Sequence, residues 1–356
     1  MTGAGPVLVR TLQAIRGVPR AARPHPGQPR APNRETMRVT ARLKLISKLT
    51  AFAVASALLP GVPAVAADRY DPYTSAFATV VTAPGQLQSV QFTAAVGKAD
   101  YLIVTSNPTS LTFDGNYPIT PAGGCAHVAG DLTKVTCPHG EYSYYQLRIN
   151  VADGDDTVLL RYDKYVDIAE VRGGSGNDVL SHTPAANSYV NVRLYGEAGN
   201  DQIEDRLIGL RRTLVDGGDG DDYLYCERTS GPQLSSMVGG GGADTFAGSC
   251  YVDYTARTTA VRVSVDDIAD DGSPGEGDNV QTSIVGVLGG SGNDVLFSTV
   301  SAMLEGNGGA DTLFGSDFDD ILLAADGTGT DIVYAGYGHD KCKTDLGDTV
   351  AGCEQT

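Results

Sequence analysis

Tryptophan is absent from the 356-residue sequence and phenylalanine occurs only 8 times, so a bulky aromatic core is excluded. Basic residues are few: 26 Lys and Arg face 43 Asp and Glu, for a formal charge of −17. That sign opposes any electrostatic hold on a phosphate backbone, which removes nucleic acid as a partner and favours a cation. No apolar run approaches the roughly 20 residues of a membrane-spanning helix, so membrane insertion is not expected. What is abundant is glycine, with 45 residues, near twice its usual share of about 7% but without an every-third-residue pattern. Collagen is thereby excluded, and a hydrophobic content of 41% excludes wholesale disorder.

Residues 49–59 (LTAFAVASALL) form a short apolar run preceded by Arg38, Arg42, Lys44 and Lys48 and followed by Ala64-Val65-Ala66-Ala67. This is the pattern of a secretory signal peptide cleaved after Ala66 or Ala67, with Met37 as the expected start. Removing residues 1–67 takes away ten bases and one acid, leaving 16 against 42 and a charge of −26 on an exported chain. All six cysteines lie beyond this segment and none forms a CxxC pair. In an oxidising compartment they are expected as disulfides, paired in sequence order as Cys125/Cys137, Cys226/Cys250 and Cys342/Cys353.

A nine-residue phrase dominates residues 150–343. It reads GGSGNDVLS from 173, GEAGNDQIE from 196, GGDGDDYLY from 217, GGGGADTFA from 239 and GGSGNDVLF from 289. It continues as GNGGADTLF from 306, GSDFDDILL from 315, DGTGTDIVY from 326 and AGYGHDKCK from 335, after a worn copy at Gly154–Val158. The template is G-G-x-G-x-D-x-U-x with U apolar, the phrase by which calcium-binding β-helices are known. On these residues the chain resembles the repeats-in-toxin, or hemolysin-type calcium-binding, family over about residues 150–343.

The spacing supports an all-β fold on its own terms. The sixth-position acids begin at Asp156, Asp178, Asp201, Asp222 and Asp244, in steps of 22, 23, 21 and 22. One short apolar segment follows each acid and a second precedes the next glycine pair. Two strands and two turns then close one coil of a parallel β-solenoid, with Leu180, Ile203, Leu224 and Phe246 stacked inward. Glycine lets each turn reverse tightly, and Asn177, Asn200 and Asn293 are expected to take left-handed geometry beside it.

Stacked coils set acid above acid at about 4.8 Å. Two carboxylates at that distance repel by about 3–4 kcal/mol at an effective dielectric near 20, so the column needs a counter-ion. Ca²⁺ takes six to eight oxygens from carboxylates and carbonyls, whereas zinc would want His or Cys. The resemblance implies that Ca²⁺ is held between coils by the sixth-position acids, namely Asp156, Asp178, Asp201, Asp222, Asp244, Asp294, Asp311, Asp320, Asp331 and Asp340. It implies that the turn glycines contribute carbonyls: Gly173, Gly174, Gly176, Gly196, Gly199, Gly217, Gly218, Gly220, Gly239, Gly240, Gly242, Gly289, Gly290, Gly292, Gly306 and Gly309.

Four regions are therefore expected: a signal region at 1–67, a small β-sheet region or cap at 68–149, a solenoid at 150–343 with an insert near 250–285, and a disulfide-tied cap at 344–356. The insert carries Asp266, Asp267, Asp270, Asp271, Glu276 and Asp278, which read either as a further calcium site or as a solvated acidic loop. Neither HExxH nor GxSxG occurs, and His127, His139, His182 and His339 lack ligand spacing, the last two reading as turn residues. An enzyme is not expected. An N-terminal signal also departs from the uncleaved C-terminal signal of the family's toxins, and no pore-forming segment is present. The expected function is an extracellular calcium-ordered structural or interaction module. The alternative is an adhesin whose tyrosines at 70, 73, 101, 117, 142, 144 and 145 meet a glycan.

Overall fold

A computed structural model describes residues 75–354 apart from 83–86, 140–144, 162–165, 184–189, 208–211, 229–234 and 328–329. The expected signal segment at 1–67 lies outside the described residues. No helix occurs among those described, and the chain winds as a parallel β-solenoid.

Alternation sets the walls. In Gln202–Leu207, Ile203 and Asp205 point inward while Gln202, Glu204 and Arg206 lie toward solvent, the period-two pattern of a half-buried strand. Each coil repeats that pattern in register, so Leu180, Ile203, Leu224 and Phe246 are successive partners and all are buried. The opposite wall stacks Val171, Leu194, Val215, Met237 and Val252 in the same way. One sheet of 13 strands runs from the N-terminal strands to Lys341–Lys343. The second wall is an 11-stranded sheet as far as the insert, and then a separate 5-stranded sheet built on Arg262–Val265.

The segment before residue 150 contributes to these same sheets. Gln88–Thr93 pairs in parallel with Tyr145–Asn150, and Tyr101–Asn107 with Thr157–Arg161, which makes a first coil ahead of the glycine phrases. Antiparallel strands then extend both sheets: Ala76–Val81 beside Gln88–Thr93, and Ser110–Gly115 with Asp131–Pro138 beside Tyr101–Asn107. They cover the edges that the first coil would otherwise expose to strand addition. Cys125–Cys137 closes the outer hairpin, Cys226–Cys250 joins neighbouring coils, and Cys342–Cys353 ties the last coil.

Coil length changes at the insert. Successive acids are 22, 23, 21 and 22 residues apart up to Asp244, but 17, 20 and 17 apart from Asp294 to Asp348. The shorter coils carry a glycine-aspartate turn on both edges, the longer ones on one edge.

Candidate metal centre

The turn that joins the 13-stranded sheet to the second wall brings the acids into line. The amide of Asp156 donates to Asp178 Oδ1 at 2.8 Å, that of Asp178 to Asp201 Oδ1 at 2.7 Å, and that of Asp201 to Asp222 Oδ1 at 2.8 Å. Asp222 donates to Asp244 and Asp244 to Asp278, both at 3.0 Å. At the other end the Asp100 amide donates to Asp156 Oδ1 at 2.6 Å. Each carboxylate from Asp156 to Asp278 is thus fixed by the backbone of the preceding coil. These seven side chains are almost wholly sealed from solvent.

Fixing one oxygen leaves the other. The Oδ2 atoms of Asp100, Asp156, Asp178, Asp201, Asp222 and Asp244 are buried and accept no hydrogen bond. An unsatisfied buried acceptor costs about 1–3 kcal/mol, and more when it is charged. The carbonyl of the next coil lies beside it: Asp178 Oδ2 and the Gly196 carbonyl oxygen crowd the point where a Cβ on Gly173 would sit. Asp201 Oδ2 with the Gly217 carbonyl, and Asp222 Oδ2 with the Gly239 carbonyl, repeat this at Gly196 and Gly217. The first glycine of the phrase is required because acidic oxygen occupies the space of its side chain. The fourth, for example Gly176 at φ 140°, is left-handed and pressed against the Gly154 carbonyl, which no other residue would tolerate.

Electrostatics follow from this enclosure. Burial raises Asp100, Asp178, Asp222 and Asp278 to about 6, with neighbouring acids adding at Asp178, Asp222 and Asp278. Burial first, then the adjoining carboxylates, lifts Asp244 and Asp311 to about 7 and Asp156 to about 8. Asp201, Asp294, Asp331 and Asp340 also move upward, chiefly through burial. Without a cation the file favours protonation.

The sequence led us to expect one column of ten acids; the structure instead contains three files. Asp294, Asp311, Asp331 and Asp348 form a second, on the same edge but separated from the first by the insert. Asp320 and Asp340 lie on the opposite edge, in a third file that ends at Glu354 Oε2. Asp294 Oδ2 accepts the Gly290 amide and Asp320 Oδ2 the Ser316 amide and hydroxyl, so both oxygens are already occupied. Those of Asp311, Asp331 and Asp340 are not. Sequence reading missed Asp100, Asp348 and Glu354 as file members and placed Asp278 only in the insert. The signals were present in Gly97–Asp100 and Gly347-Asp348, but without a glycine pair.

Two further expectations need correction. Asn177, Asn200 and Asn293 are not left-handed, since among the described residues the positive-φ positions other than glycine are Ala152, Glu197, Asp267 and Asn307. Their side chains instead form an outer ladder, in which Asn177 Oδ1 accepts the Asn200 amide at 2.8 Å and Asn293 Oδ1 the Ala310 amide at 3.0 Å. Nor is His182 a turn residue. It ends the strand Val179–His182, fully buried, with Nδ1 2.6 Å from Asp205 Oδ1, while Thr213 donates to Asp205 Oδ2. Sealed from solvent, this group braces two coils. In the insert, Asp266, Asp267 and Asp270 are at the surface or partly so, whereas buried Asp271 accepts from the Ser264 and Val280 amides. Among the expected aromatic residues, Tyr101 is exposed, Tyr145 is core, Tyr117 lies under Lys98, and those at 70, 73, 142 and 144 fall outside the described residues.

Among the described residues no three His, Cys, Asp or Glu side chains converge as a self-contained metal cage. The file offers a different donor set, with paired carboxylates from successive coils and turn carbonyls between them. All of these donors are oxygen, which fits a hard cation such as Ca²⁺ and not zinc.

The family model of the RTX calcium-binding nonapeptide repeat (4 copies) matches residues 191–204, 305–328 and 323–350. The chain carries RTX calcium-binding nonapeptide repeats, and the phrases at 173–178, 217–222, 239–244 and 289–294 share their turn. No curated protein matches the sequence.

Proposed function

We propose that this chain is an exported calcium-binding module whose nonapeptide turns take up Ca²⁺ between coils, converting a self-repelling acidic solenoid into a rigid extracellular scaffold. The observation that supports this reading is the run of six buried Oδ2 atoms without a donor in one file, from Asp100 to Asp244. The ions would be held by Asp156, Asp178, Asp201 and Asp222 with the glycine carbonyls of the adjoining turns, and by Asp311, Asp331 and Asp340 in the shorter coils. Bound Ca²⁺ supplies positive charge to this enclosed file and keeps the carboxylates ionised at neutral pH. The three disulfides and the signal-like segment at 49–67 are consistent with export. The module acts by presenting a surface and not by catalysis. Circular dichroism with calcium and with excess EGTA tests the proposal, since an identical β signal and melting temperature after verified metal removal would overturn it. Hydrolytic turnover in a broad substrate screen would overturn the non-catalytic role.

A further inference from the structure

The first file ends differently from the way it runs. Asp278 accepts the Asp244 amide at 3.0 Å like the other members, but its Oδ2 also accepts the Tyr254 hydroxyl at 2.7 Å. The Oδ2 of each of the six acids before it accepts nothing. Beside this last interval lies a cation supplied by the chain. Arg257 Nη2 donates to the Gly240 carbonyl oxygen, the second glycine of the 239–244 phrase, and to Glu276 Oε1 at 2.6 Å. Glu276 is itself nearly buried, with 10% of its side chain exposed. Its Oε2 and Asp278 Oδ2 both crowd the position of a Cβ on Gly272, so two acidic oxygens converge there where each file turn brings together one carboxylate oxygen and one carbonyl.

The backbone around Arg257 bridges the two coil types. Its carbonyl accepts the Ser291 amide at 2.9 Å, and the Tyr254 and Arg257 carbonyls press on Gly290, the second glycine of the first short-coil phrase. The segment therefore fills the gap between the last long-coil turn and the first short-coil turn. A guanidinium is permanently charged and presents five donors in a fixed plane, which suits it to carbonyl and carboxylate oxygens together.

We infer that the Arg257 guanidinium is a built-in cation occupying the terminal interval of the first file, excluding Ca²⁺ between the 239–244 turn and Asp278 and keeping the metal rows on either side of the insert separate. This rests on the calcium reading above. With the guanidinium in place, Glu276 and Asp278 have a fixed counter-charge, and the Gly240 carbonyl is not available to a metal. The junction then stays closed whether or not calcium is present.

The experiment counts Ca²⁺ bound per chain by elemental analysis, after equilibrium dialysis, for the full-length protein and its Arg257→Gln and Arg257→Lys variants. Arg257→Gln should bind one ion more than wild type, and Arg257→Lys, which keeps the charge, the wild-type number. A wild type that binds calcium with Arg257→Gln at the same count would overturn this inference alone; a wild type that binds none would overturn the calcium reading with it. Should Arg257→Gln fail to fold, anomalous scattering from calcium-soaked wild-type crystals decides the matter. Ions within the file and none coordinated by the Gly240 carbonyl at the junction are expected, and an ion bound there would refute the inference.

Discussion

Raising the pH in the absence of metal should destabilise this protein, the opposite of the behaviour of a chain held by ordinary salt bridges. The file carboxyls have folded-state pKa values above the ordinary 3.8, at about 6 for Asp178 and Asp222 and about 7 for Asp244. Below pH 3.8 both folded and unfolded chains hold these protons. Between 3.8 and the raised value only the folded chain does, so stability falls across that window and levels off above it. A single carboxyl moved from 3.8 to about 6 loses about 3 kcal/mol in this way, a large part of the roughly 5–15 kcal/mol that holds a domain folded. For a domain of this size, about 3 kcal/mol corresponds to about 6–12 °C in Tm, and we take that contribution from one group as the minimum. Of that loss about 1.4 kcal/mol falls above pH 5, so far-UV circular dichroism melts in excess EGTA at pH 5, 6, 7 and 8 should show Tm decreasing by at least about 3–6 °C. With millimolar Ca²⁺ the trend should reverse, because binding requires the deprotonated acids. A metal-free Tm that is flat or rises from pH 5 to 8 would refute the electrostatic reasoning.

Replacing Asp178, Asp201 and Asp222 together by Asn keeps an Oδ1 to accept each coil-to-coil amide but removes the charge. The variant should show a higher metal-free Tm at pH 8 and lower calcium stoichiometry by calorimetric titration. Gly196→Ala places a methyl group where Asp201 Oδ2 and the Gly217 carbonyl now lie, and denaturant unfolding should register a loss of about 1–3 kcal/mol together with weaker calcium binding. Leu224→Ala opens a cavity between Ile203 and Phe246 and should cost about 2–5 kcal/mol, equally with and without metal.

The solenoid was legible because its signal is periodic. Asp178, Asp201 and Asp222 repeat at one coil length, and the apolar positions two residues later are the stacked partners Leu180, Ile203 and Leu224. The change of coil was not legible. Asp320 and Asp340 carry the same phrase as Asp311, and only the hydrogen bonds across coils place them on the opposite edge. Asp100 escaped for the opposite reason: it lies in the file but is 56 residues from Asp156, with antiparallel cap strands between them. The asparagines were misread because their tolerance of left-handed backbone is a local property. What fixes Asn177 is the amide of Asn200 in the next coil.

The central claim is that divalent ions enter the file of acids and displace the protons held there. Isothermal titration of the metal-free chain with CaCl₂ at pH 6.5, repeated in buffers of different ionisation enthalpy, tests it most directly. We predict several ions bound per chain with net proton release. Absence of binding heat, or binding with no proton released, would contradict it.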